Sequence, residues 1–203
     1  MTFGLFLRSR PMFTLALLVL AVLVATALFA PLLAPGNIDA QNLFSRLKPP
    51  LWVDAKGVIH LAGTDHLGRD ILARLIHGSR ISLLVGVMAV AFGGTVGLML
   101  GLVAGYYGGR VDALIMRFTD MQLAFPFMLL ALALVTILGP SVFNVILVLA
   151  ITSWIHYAKV VRGDVLQLRN REFIEAARVL GIPNRRIIFR HILPNVFSSF
   201  LVV

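Results

Sequence analysis

Five side chains able to ligate a metal ion lie between positions 60 and 77: His60, Asp65, His66, Asp70 and His77. A helical metal site usually takes two histidines four residues apart, and none of these histidines has that spacing. Asp65, Arg69 and Asp70 mix charges of both signs within six residues, which is typical of ion pairs that order a loop. We therefore predict a structural cluster at these residues and no bound metal ion.

The other chemistry-bearing residues form no catalytic or nucleotide-binding motif. The apolar segments contain no paired carboxylates and no Ser/His/Asp grouping. A phosphate-binding loop reads Gly-x-x-x-x-Gly-Lys-Ser/Thr, and Gly93-Gly94 and Gly108-Gly109 both lack its Lys-Ser/Thr. The chain has no cysteine, which excludes thiol catalysis and disulfides. We predict a non-catalytic protein with no catalytic residue, no metal and no cofactor bound by this chain.

The composition indicates that the elements carrying these residues lie in a membrane. Hydrophobic residues make up 59% of the 203 residues, charged residues make up 13%, and the mean hydropathy is +0.94. A soluble domain is about 45–50% apolar and about 25% charged. The net charge of +9 comes from Lys and Arg between apolar blocks, which suits anionic lipid headgroups. A contiguous basic face is missing, so no nucleic acid partner is expected.

Five apolar blocks predict membrane spans. They are Met12–Leu33, Ile81–Tyr106, Met121–Leu138, Val142–Tyr157 and the short Asn195–Val203. The first block reaches about 33 Å as a helix, enough for a hydrocarbon core of about 30 Å. It exceeds the apolar core of a signal peptide, about 7–15 residues, so we predict an uncleaved anchor. The fold class is expected to be all-α, a polytopic helical membrane bundle whose chain stops within the fifth span.

The distribution of Lys and Arg predicts a cytoplasmic N-terminus. With that orientation the inner segments 1–11, 107–120 and 158–194 hold 12 basic residues, and the outer segments 34–80 and 139–141 hold six. The positive-inside rule favours this choice. No charged residue lies in the interior of a predicted span, unlike the usual pattern of ion- or proton-coupled carriers.

Local patterns predict how some of these elements are shaped. Residues 34–63 carry Pro and Gly turn signals and are expected to be irregular, and Gly68–Ser82 is predicted to be a short amphipathic helix at the outer interface. Pro126 is expected to kink the third span near its cytoplasmic end. Small residues recur at every fourth position of the second span: Ala89, Gly93, Gly97, Gly101 and Gly105. This stripe suits close helix packing within one subunit or a helix that slides against a partner.

The segment from Lys159 to Pro194 is predicted to form two short amphipathic helices joined by a bend. One apolar face contains Phe173, Ala176, Ala177 and Leu180, and the second contains Ile187, Ile188 and Ile192. Gly181 ends the first helix and Pro183 opens the second. Two interpretations remain open: a shallow surface that fits a groove on another protein, or a helix pair on anionic lipid, as Arg185, Arg186 and Arg190 suggest.

Two motifs resemble the permease subunits of type I ATP-binding-cassette importers. Glu175-Ala176-Ala177, Gly181 and Leu193-Pro194 match the spacing of the family's "EAA" signature, with His191 at a position where the family has Ile. The stretch from Gly63 to Asp70, with Arg74, Gly78 and Arg80–Leu83 after it, is similar to the segment before the permease core in the dipeptide/oligopeptide/nickel subgroup. The second motif is most similar to the "C" partner of the two permeases.

The resemblance implies that the loop docks on a cytoplasmic ATPase and couples ATP-driven closure to alternating access. It implies docking residues Phe173, Glu175, Ala176, Ala177, Leu180 and Gly181, and a structural outer box of Asp65, Gly68, Arg69 and Asp70. The expected partners are a second permease subunit, two ATPase subunits that hold ATP and Mg, an external solute-binding protein, and the lipid of a bacterial cytoplasmic membrane. The substrate stays open among dipeptides, oligopeptides, glutathione-like molecules and chelated nickel. The alternative is an ATP-independent carrier or channel.

The expected domain organisation has two parts. Residues 1–79 form the anchor span 12–33 with the outer segment and its amphipathic helix. Residues 80–203 form an incomplete permease core, which contains the coupling loop 159–194.

Overall fold

The computed structural model describes residues 11–35, 37–55 and 57–202. The basic N-terminal residues Arg8 and Arg10, on which the predicted orientation partly depends, lie outside these ranges. Two compact units, Met1–Leu84 and Val85–Val203, divide the chain. The boundary predicted at residue 79 and the observed one both fall inside a single long helix.

The first unit begins with an apolar helix that ends sooner than predicted. Helix α1 spans Pro11–Leu28, and α2 spans only Ala30–Leu33. The break lies at Phe29, whose φ of −94° and ψ of 12° are not helical, and Pro31 follows in the first turn of α2. Because proline lacks an N–H and suits a helix start, the chain restarts there instead of continuing.

The stretch predicted to be irregular is an ordered turn structure. A 3₁₀ turn at Leu43–Ser45 precedes a small antiparallel hairpin, in which β1 (Trp52–Val53) pairs with β2 (Ile59–His60). Trp52 lies opposite His60 in the register, and their rings stack with centroids 5.5 Å apart.

The separate amphipathic helix predicted at Gly68–Ser82 is wrong, because these residues open one continuous helix. Helix α3 spans Ile71–Tyr107, which is 37 residues and about 55 Å long. Asp70 caps its start by accepting a hydrogen bond from the backbone N–H of Ala73 at 2.8 Å. No proline interrupts this stretch, and an internal glycine such as Gly78 costs only about 1 kcal/mol.

The third predicted span is broken rather than kinked. Helix α4 spans Gly109–Leu123, α5 spans Phe127–Leu138, and the two axes differ by 86°. Pro126 stands at the break as the N-cap of α5. Since proline also disfavours helical backbone at the residue before it, the α4 helix cannot run through Phe125.

The last helices run further than the apolar blocks indicate. Helix α6 spans Val142–Leu168, and α7 spans Glu172–Val179. Helix α8 (Asn184–Arg186), a π-helical turn (Ile187–Ile192) and α9 (Leu193–Val202) then follow without a gap. In this π-helical turn the backbone N–H of Leu193 donates to the carbonyl oxygen of Ile188, five residues earlier. The next residue, Pro194, has no N–H to donate.

The all-α membrane fold is confirmed. Among the described residues, α1, α3 and α6 are long and apolar enough to cross a bilayer, and the bent pair α4 and α5 makes a fourth candidate. In the second unit the buried core combines α3, α6, α7, the π-helical turn and α9.

Candidate coupling site and its supports

Helix α7 is a short helix with a defined start and stop. Its first turn carries Glu172 and Glu175, whose charges favour the positive end of a helix. At its end, Gly181 has φ of +72°, and its N–H donates to Arg178 O at 2.9 Å. Ile182 N–H donates to Ala177 O at 3.1 Å, which completes a Schellman turn. The helix and its sharp exit therefore follow from local chemistry.

Burial divides the predicted docking residues between two faces of α7. Ala177 is 5% exposed and turns inward, together with Ile174 at 0%. Phe173 is 47% exposed, Leu180 is 79% exposed, and Glu175, Ala176 and Gly181 are also exposed. Ala177 therefore packs against its own chain. Val179, 87% exposed, is an outward apolar residue that the sequence analysis did not single out.

The inward face of α7 is part of the main apolar core of the second unit. Ile174 and Ala177 join a cluster drawn from three helices and the π-helical turn, namely Leu98, Leu102 and Tyr106 of α3, Val161 and Val165 of α6, Ile187, Ile188 and Ile192 of the turn, and Val196 of α9. Burying a side chain such as Ile174 stabilises the fold by roughly 1.5–3 kcal/mol. Helix α7 is thus held on the core by one face while its other face stays exposed.

The stripe of small residues on α3 packs against α6. A Cβ built on Gly101 would lie 2.7 Å from Ala158 O and 2.9 Å from Val161 Cβ, and one built on Gly105 would lie 2.6 Å from Val165 Cβ. Gly93 and Gly97 meet α6 in the same way, and Ala89 is buried. The stripe therefore packs two helices of this chain closely.

A polar ladder, which the sequence analysis missed, joins α4 to α6. The guanidinium of Arg162 pairs with Asp112, with Nη2 2.6 Å from Oδ2, and Lys159 Nζ lies 3.2 Å from Asp120 Oδ1. Trp154 Nε1 also donates to Gln122 Oε1 at 3.1 Å. Arg162 and Asp112 are 50 residues apart in sequence, so no local pattern indicates the pair. These polar contacts hold α4, the first half of the broken span, against α6.

In the first unit, the outer box is organised around Asp65. Its carboxylate accepts from the backbone N–H of Leu67 at 2.8 Å, from Arg69 Nε at 2.8 Å and from Arg74 Nη1 at 2.8 Å. Burial raises the pKa of this carboxyl, but hydrogen bonds from the Arg69 backbone, the Leu67 backbone and the Arg69 side chain outweigh it and hold the pKa well below its usual range. Gly68, at φ of +73°, lies so close to the Asn42 backbone that a Cβ would collide with it.

The histidines that suggested a metal site have other partners. His60 Nδ1 lies 2.7 Å from Asp70 Oδ2, and His77 Nε2 lies 3.0 Å from Ala34 O. His66 is exposed. Across the described ranges, no three metal-ligating side chains are grouped so that they could hold an ion.

These features define a class, a multi-span helical membrane protein that presents an amphipathic helix on its core. The chain belongs to the family of binding-protein-dependent transport system inner membrane components, whose model matches residues 97–203. A second family model, the N-terminal TM domain of oligopeptide transport permease C, matches residues 5–50. The resemblance drawn from the two sequence motifs is therefore confirmed.

Curated relatives agree with the family. The chain is 37% identical over 195 residues to the oligopeptide transport system permease protein OppC of Bacillus subtilis, covering 96% of this chain and 62% of the relative. It is 41% identical over 186 residues to the di/tripeptide transport system permease protein DppC of Pseudomonas aeruginosa, covering 92% and 61%. It is 44% identical over 186 residues to the dipeptide transport system permease protein DppC of Escherichia coli K12, covering 92% and 62%. The chain thus spans about three fifths of the length of these relatives.

Proposed function

We propose that this chain acts as a permease subunit of an ATP-driven importer of peptides and that α7 is its contact with an ATPase subunit. The family and the peptide transport systems to which the named relatives belong support the transport role and the peptide class. The observation that carries the docking role is the division of α7 into a buried face and an exposed one.

The exposed face of α7 has the chemistry of a protein contact. Phe173, Val179 and Leu180 present apolar surface, and Ala176 adds a site of close approach. The Glu175 side chain has no hydrogen bond or ion pair to the described part of the chain, so it is available to a basic or amide group of a partner. Interfaces are commonly built from such apolar anchors with a polar group at their side.

The same proposal assigns the remaining partners. A second permease subunit would complete the pathway, two ATPase subunits would hold ATP and Mg, and an external solute-binding protein would deliver the peptide. The chain itself would carry out no catalysis. The N-terminus would be cytoplasmic in a bacterial inner membrane, because Lys and Arg are concentrated in the segments that this orientation places inside.

The docking role is tested by capturing the ATPase subunits on tagged permease complex in detergent. Glu175→Lys should lower the captured ATPase, because it reverses a charge on the exposed face that has no partner in the described part of the chain. Glu175→Gln, which keeps the size and a polar end, should retain most of it. Wild-type complex that captures no ATPase, or equal capture by Glu175→Lys, would reject the docking role.

A further inference from the structure

The cytoplasmic end predicted for α3 is tied to the loop that carries α7 by a side-chain hydrogen bond. Tyr106 Oη donates to Asn184 Oδ1 at 2.7 Å, joining residues 78 positions apart. Tyr106 is the penultimate residue of α3 and Asn184 is the first residue of α8. The Tyr106 ring is buried, with 6% of the residue exposed, so its hydroxyl has a fixed direction.

The same tyrosine ring also contacts α7. The guanidinium carbon of Arg178, in the last turn of α7, lies 5.2 Å from the centre of the Tyr106 ring. A cation over an aromatic face at this distance is attracted by the negative charge of the ring face. Tyr106 therefore contacts the loop on both sides of the Gly181 bend, through Arg178 before it and Asn184 after it.

These contacts resist sliding of α7 along the apolar core beneath it, which the core itself resists only weakly. Apolar burial is non-directional, so Ile174 and Ala177 resist separation from the core more than a shift along it. A hydrogen bond weakens steeply when its angle or length changes, so Tyr106–Asn184 opposes such a shift.

We propose that the Tyr106–Asn184 hydrogen bond, supported by Arg178 on the tyrosine ring, makes α3 move together with α7 when the ATPase pulls on the loop. This proposal rests on the docking role proposed above. In this role Tyr106 and Asn184 are positioning residues, because they act through α3 and the loop. Without their bond, α7 still docks, but its displacement reaches α3 only weakly.

The test follows α3 directly and needs no knowledge of the transported peptide. The chain has no native cysteine, so Leu75→Cys, on an α3 residue that precedes the predicted span and is 63% exposed, gives a single labelling site. The assembled transporter is labelled with a fluorescent maleimide, with and without ATP plus vanadate, and the label is measured on the band of this chain. Captured ATPase is measured in the same samples.

In the Leu75→Cys background, ATP plus vanadate should change the labelling rate. Tyr106→Phe and Asn184→Ala should each shrink this change about fivefold, the factor in an equilibrium constant that one net hydrogen bond supplies. The double variant should show the same remaining change in labelling rate as either single variant, since both substitutions remove the same bond. Tyr107→Phe is the matched control: it removes a hydroxyl from the adjacent residue, which is 53% exposed, and should leave the change intact.

Each other outcome has a separate meaning. The proposed role of the Tyr106–Asn184 bond is overturned if the ATP-dependent change in labelling rate survives Tyr106→Phe, or if it falls equally in Tyr107→Phe. It is also overturned if the labelling rate never responds to ATP when Tyr106 and Asn184 are both unchanged. Loss of ATPase capture in Tyr106→Phe and Asn184→Ala also overturns it, because the bond would then only shape α7. If wild-type complex captures no ATPase, the proposed docking role itself fails.

Discussion

At the scale of single residues, backbone conformation at Gly181 shapes the loop. A Cβ at this position would meet no atom within 4 Å, so space does not require glycine. The requirement comes from φ of +72°, which costs an L-residue about 1–2 kcal/mol. The Schellman turn made there aims the chain from α7 towards α8.

We expect Gly181→Val to uncouple ATP hydrolysis from uptake while the protein still inserts in the membrane, because the β-branched residue disfavours the turn. Gly181→Asn should restore most coupling, since asparagine tolerates this conformation. Gly139→Val is the matched control: Gly139 has φ of +85° and open space, but it lies at the end of α5. Hydrolysis and peptide uptake are measured in proteoliposomes of the complex. Normal coupling in Gly181→Val would contradict this role.

Asp65 makes the first unit sensitive to acid in a defined direction. Its folded-state pKa is depressed, so its stabilising effect is present above the unfolded pKa of about 4 and is lost as pH falls towards the folded value. We expect the 37–70 segment to resist pepsin near pH 5 and to be cut progressively faster below about pH 4. Asp65→Asn should be cut faster near pH 5 and show a flatter pH profile.

Asp39→Asn provides the comparison for this acid test, because Asp39 is an exposed carboxylate of the same segment. Cleavage rates are divided by those of an unstructured peptide, which removes the pH dependence of pepsin itself. An Asp65→Asn profile that matches Asp39→Asn would show that the Asp65 hydrogen bonds do not hold the segment.

At the scale of elements, sequence signals predicted where helices end better than which faces they bury. Gly181 follows the end of α7 as predicted, Pro126 lies at a break where a kink was expected, and the break before Pro31 was not predicted. The buried face of α7 could not be predicted in the same way. Apolar residues occupy six of the nine positions from 172 to 180, so they surround most of this two-turn helix and its C-cap. Contacts with α3 and α6, distant in sequence, select Ile174 and Ala177 as the inward pair.

The separate helix predicted at Gly68–Ser82 was wrong for a related reason. Polar residues at the start of α3 suggested a separate interfacial helix, but charge on one side of a helix does not end it. The ladder between Arg162 and Asp112 could not be predicted either, since pairing across 50 residues depends on the fold.

The glycine stripe predicts a stability difference within one helix. Gly101→Ala should destabilise the protein by about 1–3 kcal/mol, because its Cβ would press on Ala158 O and Val161. Gly86→Ala, in the same helix with open space around it, should be neutral or stabilising by up to about 1 kcal/mol. Unfolding of the detergent-solubilised full chain, followed by tryptophan fluorescence, compares them. Equal stability of the two variants would show that α3 does not pack on α6 through this stripe.

At the scale of the whole molecule, α7 has to be anchored on its own chain and exposed to a partner at the same time. Its inner face belongs to a core that contains α3 and α6, two of the candidate spans, so force applied to α7 can reach membrane helices. Its outer face carries apolar groups and a carboxylate with no partner in the described part of the chain. The first unit contributes a separately ordered segment that is held by Asp65.

Site-specific photo-cross-linking tests this central claim most directly. A photoreactive amino acid replaces Phe173 or, as the matched position one residue on, Ile174 in the assembled complex within membranes. The account predicts a strong cross-link from position 173 to an ATPase subunit and little from position 174, whose side chain lies inside the core. Cross-links from position 173 to lipid alone, with the ATPase captured by a different part of the chain, would contradict it.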